Sequence, residues 1–172
     1  NEAKSLVLSQ EGIEILKNFL IQMGQDSKYT SESTQYLKAG ETSLPNDQMK
    51  VCGRVRKGMN LLEDMKFYFA HDGTSFENGK IGLFLCDKGI GGRTMGGVTR
   101  LFSWDDFVNG RWSISNTTLV YHDDTLVAAI YTKDKTMDQD HVTLQKIMEL
   151  QNILKHYLIS VEGNEADMRQ AK

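Results

Sequence analysis

His71 and Asp72 are adjacent in the chain. In phosphohydrolases such a pair holds a metal ion, provided further His and Asp ligands arrive from other segments. The remaining histidines, His122, His141 and His156, fall at no ligand spacing. His71 therefore reads as a turn histidine, and no metal is expected. Gly89, Gly91 and Gly92, followed by Gly96 and Gly97, resemble a phosphate cradle at first sight. A phosphate-binding loop, however, leads through Lys and Ser or Thr into a helix. Here Gly97 leads into Val98 and Thr99, so the glycines read as hairpin turns or as a place where backbones approach closely. No Ser, His and acid grouping stands out, and no catalytic residue or cofactor is assigned.

Cys52 and Cys86 make neither a disulfide framework nor a zinc spacing, and read as two buried free thiols. The densest basic cluster is Lys50, Arg54, Arg56 and Lys57, with Arg93, Arg100 and Arg111 adding positive charge near the strands. Near an anionic membrane each cation contributes roughly 1 kcal/mol, but Glu63, Asp64 and Asp72 lie close by and oppose it. A solvated helix face is the plainer reading. Trp104 and Trp112, with Phe102 and Phe107, read as a core corner, and an exposed Trp there becomes a protein contact. The candidate partner or anion contacts are thus Lys50, Arg54, Arg56, Lys57, Arg93, Trp104 and Trp112.

The elements that must position these residues follow from periodicity and turn chemistry. Ile13, Leu16, Leu20 and Met23 predict an N-terminal helix with Ser9 as its cap. A short helix is predicted over 33–39, a linker over 40–46 and a third helix over 46–57. Between Lys66 and Tyr131, seven short strand-like segments are punctuated by His71-Asp72-Gly73, Asn78-Gly79, Asp87-Lys88-Gly89, Met95-Gly96-Gly97 and Asp123-Asp124. Connections this short allow only antiparallel neighbours. Ser103 and Asp106 match a capped helical turn. One long helix is predicted from Asp138 to about Ser160, with Ile147, Leu150, Leu154, Tyr157 and Val161 on its apolar stripe. The expected organisation is a helical extension and linker over 1–45, a main domain over 46–160 and a polar tail over 161–172.

Seven antiparallel strands followed by one helix is the layout of the pleckstrin-homology (PH) superfold. The segments Glu63 to Ala70, Gly79 to Ile90 and Phe102-Ser103-Trp104-Asp105-Asp106-Phe107 resemble a bacterial PH-like domain family. Its members run from a helix into a strand, then to a turn with Gly-Ile, then to an Ile-Ser-Trp-Glu-Glu-Phe-like turn. Where that pattern places an aromatic residue after Gly-Ile, this chain has Gly91-Gly92-Arg93. The resemblance spans roughly 49–158. It implies an α+β fold of two packed sheets with a C-terminal capping helix, and an accessory or interaction module without catalytic residues.

The 172 residues carry a net charge of -3, which argues against nucleic acid as a partner. No apolar run reaches the length of a membrane span, and a cytoplasmic location is expected. The chain opens on Asn1 and reads as a processed or trimmed product. The expected function is a non-enzymatic protein-interaction or regulatory module of a bacterial protein with an unidentified protein partner. The alternatives are an adaptor reading an anionic membrane surface, separable by charge reversal at Arg54 and Arg56, and a toxin-neutralising immunity protein whose acidic surface suits a basic partner.

Overall fold

Strands that are apolar on both faces must be covered on both, and that requirement organises this molecule. The computed structural model describes residues 4–162. A five-stranded antiparallel sheet runs in the order β2 (Thr34–Tyr36), β3 (Phe67–Asp72), β4 (Gly82–Cys86), β5 (Gly89–Arg93), β6 (Arg100–Ser103). A three-stranded antiparallel sheet follows, in the order β7 (Trp112–Ile114), β8 (Leu119–His122), β9 (Thr125–Ala129). The protein is therefore mixed α+β, with ten strands in three antiparallel sheets once the ribbon of β1 (Lys4–Leu8) and β10 (Leu158–Glu162) is included.

Alternation along β4 separates two cores. Leu83 and Leu85 face the main core, with Val120, Val127 and Ala128 of the second sheet and Leu16 and Leu20 of α1 (Gln10–Gly24). Leu144 and Ile147 of α4 (Met137–Met148) and Leu150 and Leu154 of α5 (Leu150–Leu154) join the same cluster. Phe84 and Cys86 face the opposite way, beneath Val51, Cys52 and Val55 of α2 (Val51–Gly58). Each fully buried side chain of this size contributes about 1.5 to 3 kcal/mol, so neither face of the sheet is dispensable. A bulge between Phe67 and Phe69 returns β3 to the same alternation, with Phe69 in the main core and Phe67 in the smaller one.

The glycines of β5 sit where these layers come closest. A Cβ on Gly92 would meet the Gly82 carbonyl oxygen and lie 2.7 Å from Ala128 Cβ, across the gap between the sheets. A Cβ on Gly91 would meet the Arg100 carbonyl oxygen and lie 2.5 Å from Phe84 Cζ. Close backbone approach therefore accounts for Gly91-Gly92.

Several elements differ from the sequence expectation. Residues 33–39 form no helix: Thr34–Tyr36 is strand β2, flanked by bonds in which Leu37 N–H donates to Tyr68 O at 3.0 Å and Asp72 N–H to Ser33 O at 2.9 Å. Tyr36 also packs edge-on against Phe69, with centroids 5.1 Å apart, and this long-range pairing outweighs a weak helical preference. The helix predicted over 46–57 is α2, beginning only at Val51. The 40–46 segment is fastened, with Leu44 buried and its N–H donating to Phe67 O at 2.7 Å. Residues 4–45 share the main core through Leu16, Leu20, Met23, Tyr36 and Leu37.

The closing helix predicted over 138–160 is α4 and α5 with a break at Glu149, then a 3-10 turn at Lys155–Tyr157. Thr136 and Gln139 form the capping box that starts it. The chain then straightens into β10, whose register with β1 runs from Leu8↔Leu158 to Lys4↔Glu162, and Val161 is buried. The polar tail predicted over 161–172 thus begins inside a strand, and residues 163–172 lie outside the described residues.

Candidate binding cleft

The residues expected to make contacts are dispersed, and several are engaged in holding the fold. Ser103 Oγ accepts from Asp106 N–H at 3.1 Å and starts the short helix α3 (Trp104–Asn109). This places Trp104 inside the core, where its Nε1 donates to Cys86 O at 3.2 Å and Phe107 packs edge-on at 5.6 Å. Trp112 is half-buried among Phe102, Phe107 and His122, with centroids 5.2, 5.4 and 4.8 Å away. Arg93 is half-buried and its Nε donates to Gly97 O at 3.2 Å, tying the β5–β6 hairpin.

The basic cluster divides by helix face. Arg54 turns from α2 toward Asp72, with Nε 3.2 Å from Oδ2. The Asp72 carboxylate also accepts from Gly79 N–H at 3.2 Å, Thr74 N–H at 3.0 Å and Thr74 Oγ1 at 2.6 Å. Arg56 is only 5% exposed. Its Nη1 donates to Leu62 O, its Nη2 to Met65 O at 2.9 Å, and the guanidinium lies 4.4 Å from the Phe67 ring centroid. Burial pushes the neighbouring Cys52 thiol up to about 11, against the opposing charge of Arg56. Only Lys50 and Lys57 of this cluster are exposed. Charge reversal at Arg54 and Arg56 would therefore act on internal contacts and does not isolate a surface.

His71 and Asp72 occupy opposite faces of β3, so they do not act as a pair. Among the described residues no group of three or more His, Cys, Asp or Glu side chains is placed to hold a metal ion. Nor, among these residues, is any helix long and apolar enough to cross a membrane.

What the fold does assemble is a cleft of about 480 Å³ along β2. β2 is an edge strand, paired on one side only. The register fixes which backbone groups remain outside the ladder. Ser33 and Leu37 bond to β3, and alternation adds Gln35 to the same side. The N–H and C=O of Thr34 and Tyr36 therefore point away from β3. Thr34 N–H is taken by Ser31 O at 3.3 Å, while Thr34 C=O and both backbone groups of Tyr36 have no partner among the described residues. Thr34, Gln35, Tyr36 and Leu37 line the cleft.

Side chains of β2 anchor its two walls. Gln35 Oε1 accepts from Cys52 N–H at 2.9 Å, capping α2 from another element where Lys50 makes no side-chain cap. That holds Pro45, Asp47, Lys50 and Val51 along one side. Tyr36 faces α1, close enough that a Cβ on Gly24 would lie 2.7 Å from Tyr36 Cβ, and its hydroxyl donates to Tyr29 O at 2.8 Å. Ile21, Gly24 and Gln25 line that other side. Of the residues singled out by sequence, Lys50 alone lines the cleft. The missed signal was the run Thr34-Gln35-Tyr36-Leu37, whose residue types suit an edge strand as well as a helical turn.

Compared with protein-family models, curated proteins and solved structures, the chain finds no match in any of the three.

Proposed function

We propose that this protein is a non-enzymatic interaction module that captures an extended segment of a partner protein along the free edge of β2. The observation that carries this reading is the row of unpaired backbone groups at Thr34 and Tyr36 on the floor of a walled cleft. Strand addition uses such an edge: backbone hydrogen bonds supply affinity, and pockets on alternate sides supply specificity. Three backbone hydrogen bonds at about 1 kcal/mol each give weak binding, so contacts to Ile21, Pro45 and Val51 must supply the remainder.

The reading includes a PH-like core. Its support is the chain order: four strands β3 to β6, three strands β7 to β9, then the closing helix, with β2 added outside that set. Of the Lys50–Lys57 cluster, a membrane-surface role draws on Lys50 and Lys57, since Arg54 and Arg56 are engaged internally.

The test begins with peptides selected from a displayed random library against the folded protein. Binding is mapped by amide chemical shifts, and an Ala39→Trp variant fills the cleft from an exposed wall position. Shifts centred on Tyr36 that disappear in Ala39→Trp support capture at β2. Peptides that bind Ala39→Trp equally well overturn it. Sedimentation with phosphatidylserine vesicles, undiminished in Ala39→Trp, would move the function to the membrane surface.

A further inference from the structure

Tyr36 is only 6% exposed, yet both of its backbone groups lack a partner among the described residues, as does Thr34 C=O. Buried backbone polar groups are almost always paired, so these three call for hydrogen bonds from outside the chain. The groups beside them are closed. Thr34 N–H is taken by Ser31 O at 3.3 Å, and that turn is held by Ser31 Oγ, which lies 3.0 Å from Thr34 Oγ1 and accepts from Ser33 N–H at 3.2 Å. At the other end Lys38 N–H donates to Glu41 Oε1 at 2.8 Å, and Lys38 O accepts from Glu41 N–H at 3.0 Å. The open edge is thus a fixed order of acceptor, donor and acceptor, bounded on both sides.

That order distinguishes the two ways of adding a strand. In a parallel pair a guest residue bonds to the two host residues that flank the one opposite it, whereas in an antiparallel pair opposed residues exchange both bonds. A parallel guest residue opposite Gln35 donates to Thr34 O and accepts from Tyr36 N–H, and the guest residue two further on donates to Tyr36 O. All three open groups are satisfied, and Thr34 N–H is not needed. An antiparallel guest exchanges two bonds with Tyr36, but its residue opposite Thr34 then aims a carbonyl at an N–H that Ser31 O already holds. Stopping short of Thr34 leaves it with two bonds. Parallel pairing is slightly weaker per residue, and the third bond outweighs that difference.

We propose that the captured segment runs parallel to β2 and carries a cation immediately before its residue opposite Gln35. The proposal deepens the reading of β2 as the capture site and rests on it. Direction fixes which guest side chain meets which wall. The residue opposite Gln35 shares its face and meets Pro45 and Val51, while the one before it lies beside Thr34, within reach of the Glu32 carboxylate. Glu32 is exposed and makes no ion pair among the described residues. Elsewhere in the cleft Lys38 and Lys50 balance Glu41 and Asp47, so the Thr34 end is the anionic one. The partner is therefore a protein with an extended segment in which Lys or Arg precedes an apolar residue.

The probe is the peptide acetyl-Gly-Lys-Val-Thr-Val-Gly-amide, with a nitroxide on a Cys added at either its N-terminus or its C-terminus, titrated to millimolar concentration into the whole isotope-labelled protein. The N-terminal nitroxide should broaden the amides of Glu32 and Ser33 most strongly, and the C-terminal one those of Lys38 and Ala39. The reverse pattern, or equal broadening from both ends, overturns the proposal while shifts centred on Tyr36 preserve the capture reading. Absence of shifts at Tyr36 overturns both. The cation is tested with acetyl-Gly-Val-Thr-Val-Lys-Gly-amide and with Glu32→Gln, a substitution at an exposed side chain. The first peptide should bind the native protein about 3-fold more tightly than the second, the scale of one exposed ion pair, and the preference should vanish in Glu32→Gln. Equal binding of the two peptides, or a preference that survives in Glu32→Gln, overturns the assignment of the cation.

Discussion

Removing the guanidinium from Arg54 should reveal whether it is a surface cation or part of the fold. In Arg54→Met the Asp72 carboxylate, 1% exposed, loses its only cationic partner among the described residues while keeping the donors of Gly79 and Thr74. Breaking a buried pair from one side costs about 3 to 5 kcal/mol, and the retained donors set the expectation at about 3 kcal/mol. Asp72→Asn keeps the shape but aims an amide NH2 at one of four existing donors, and should cost about 2 kcal/mol. The double variant meets neither an uncompensated carboxylate nor a lost attraction twice over. A total of about 3 kcal/mol is expected for it, so the two residues couple by about 2 kcal/mol. Urea unfolding followed by tryptophan fluorescence measures all four proteins, because Trp104 passes from a dry core to water. Single variants within 1 kcal/mol of the native protein, or strict additivity, would refute this reasoning. Arg54 would then be available to bind an anion.

Further outcomes follow from the packing. Gly92→Ala places a methyl group against the Gly82 carbonyl and Ala128, and should lower the unfolding free energy by about 1 to 3 kcal/mol in urea. Adding Ala128→Gly restores only part of it, since the carbonyl contact remains; full recovery would show that the carbonyl is not in the way. Gln35→Leu removes the cap on Cys52 N–H and should cost about 1 kcal/mol, with exchange rates rising first in α2. Burial pushes the Cys86 thiol up to about 12 and that of Cys52 up to about 11. Both should resist a disulfide reagent at pH 8 until urea unfolds the chain, and rapid labelling of the folded protein would contradict their placement.

The strands were legible where turn chemistry punctuated them, and the two apolar faces of β4 announced a central position that the two cores explain. β2 was not legible, because three residues of edge strand take their stability from a partner 33 to 37 residues away. The stripe through Ile147, Leu150 and Leu154 correctly marked a buried helix face. Its continuation through Leu158 and Val161 fits strand spacing too, and only pairing with β1 separates the readings. The basic cluster misled because charge in sequence says nothing about carbonyls in space. Arg56 is held by Leu62 and Met65, and a fork of donors on an apolar stem can be buried when such acceptors converge. The cleft was invisible for the same reason: its distinctive chemistry is backbone, which every residue carries.

The β1–β10 ribbon has a consequence for how this fold can be joined to others. Its register sets Lys4 beside Glu162, so the first and last described residues lie at neighbouring points, about 5 Å apart in paired strands. Such a unit can be spliced into a surface loop of a host protein without prising that loop open. Tension applied across the two ends would unzip the ribbon rung by rung before reaching the sheets, making those ten residues a mechanical fuse for everything behind them.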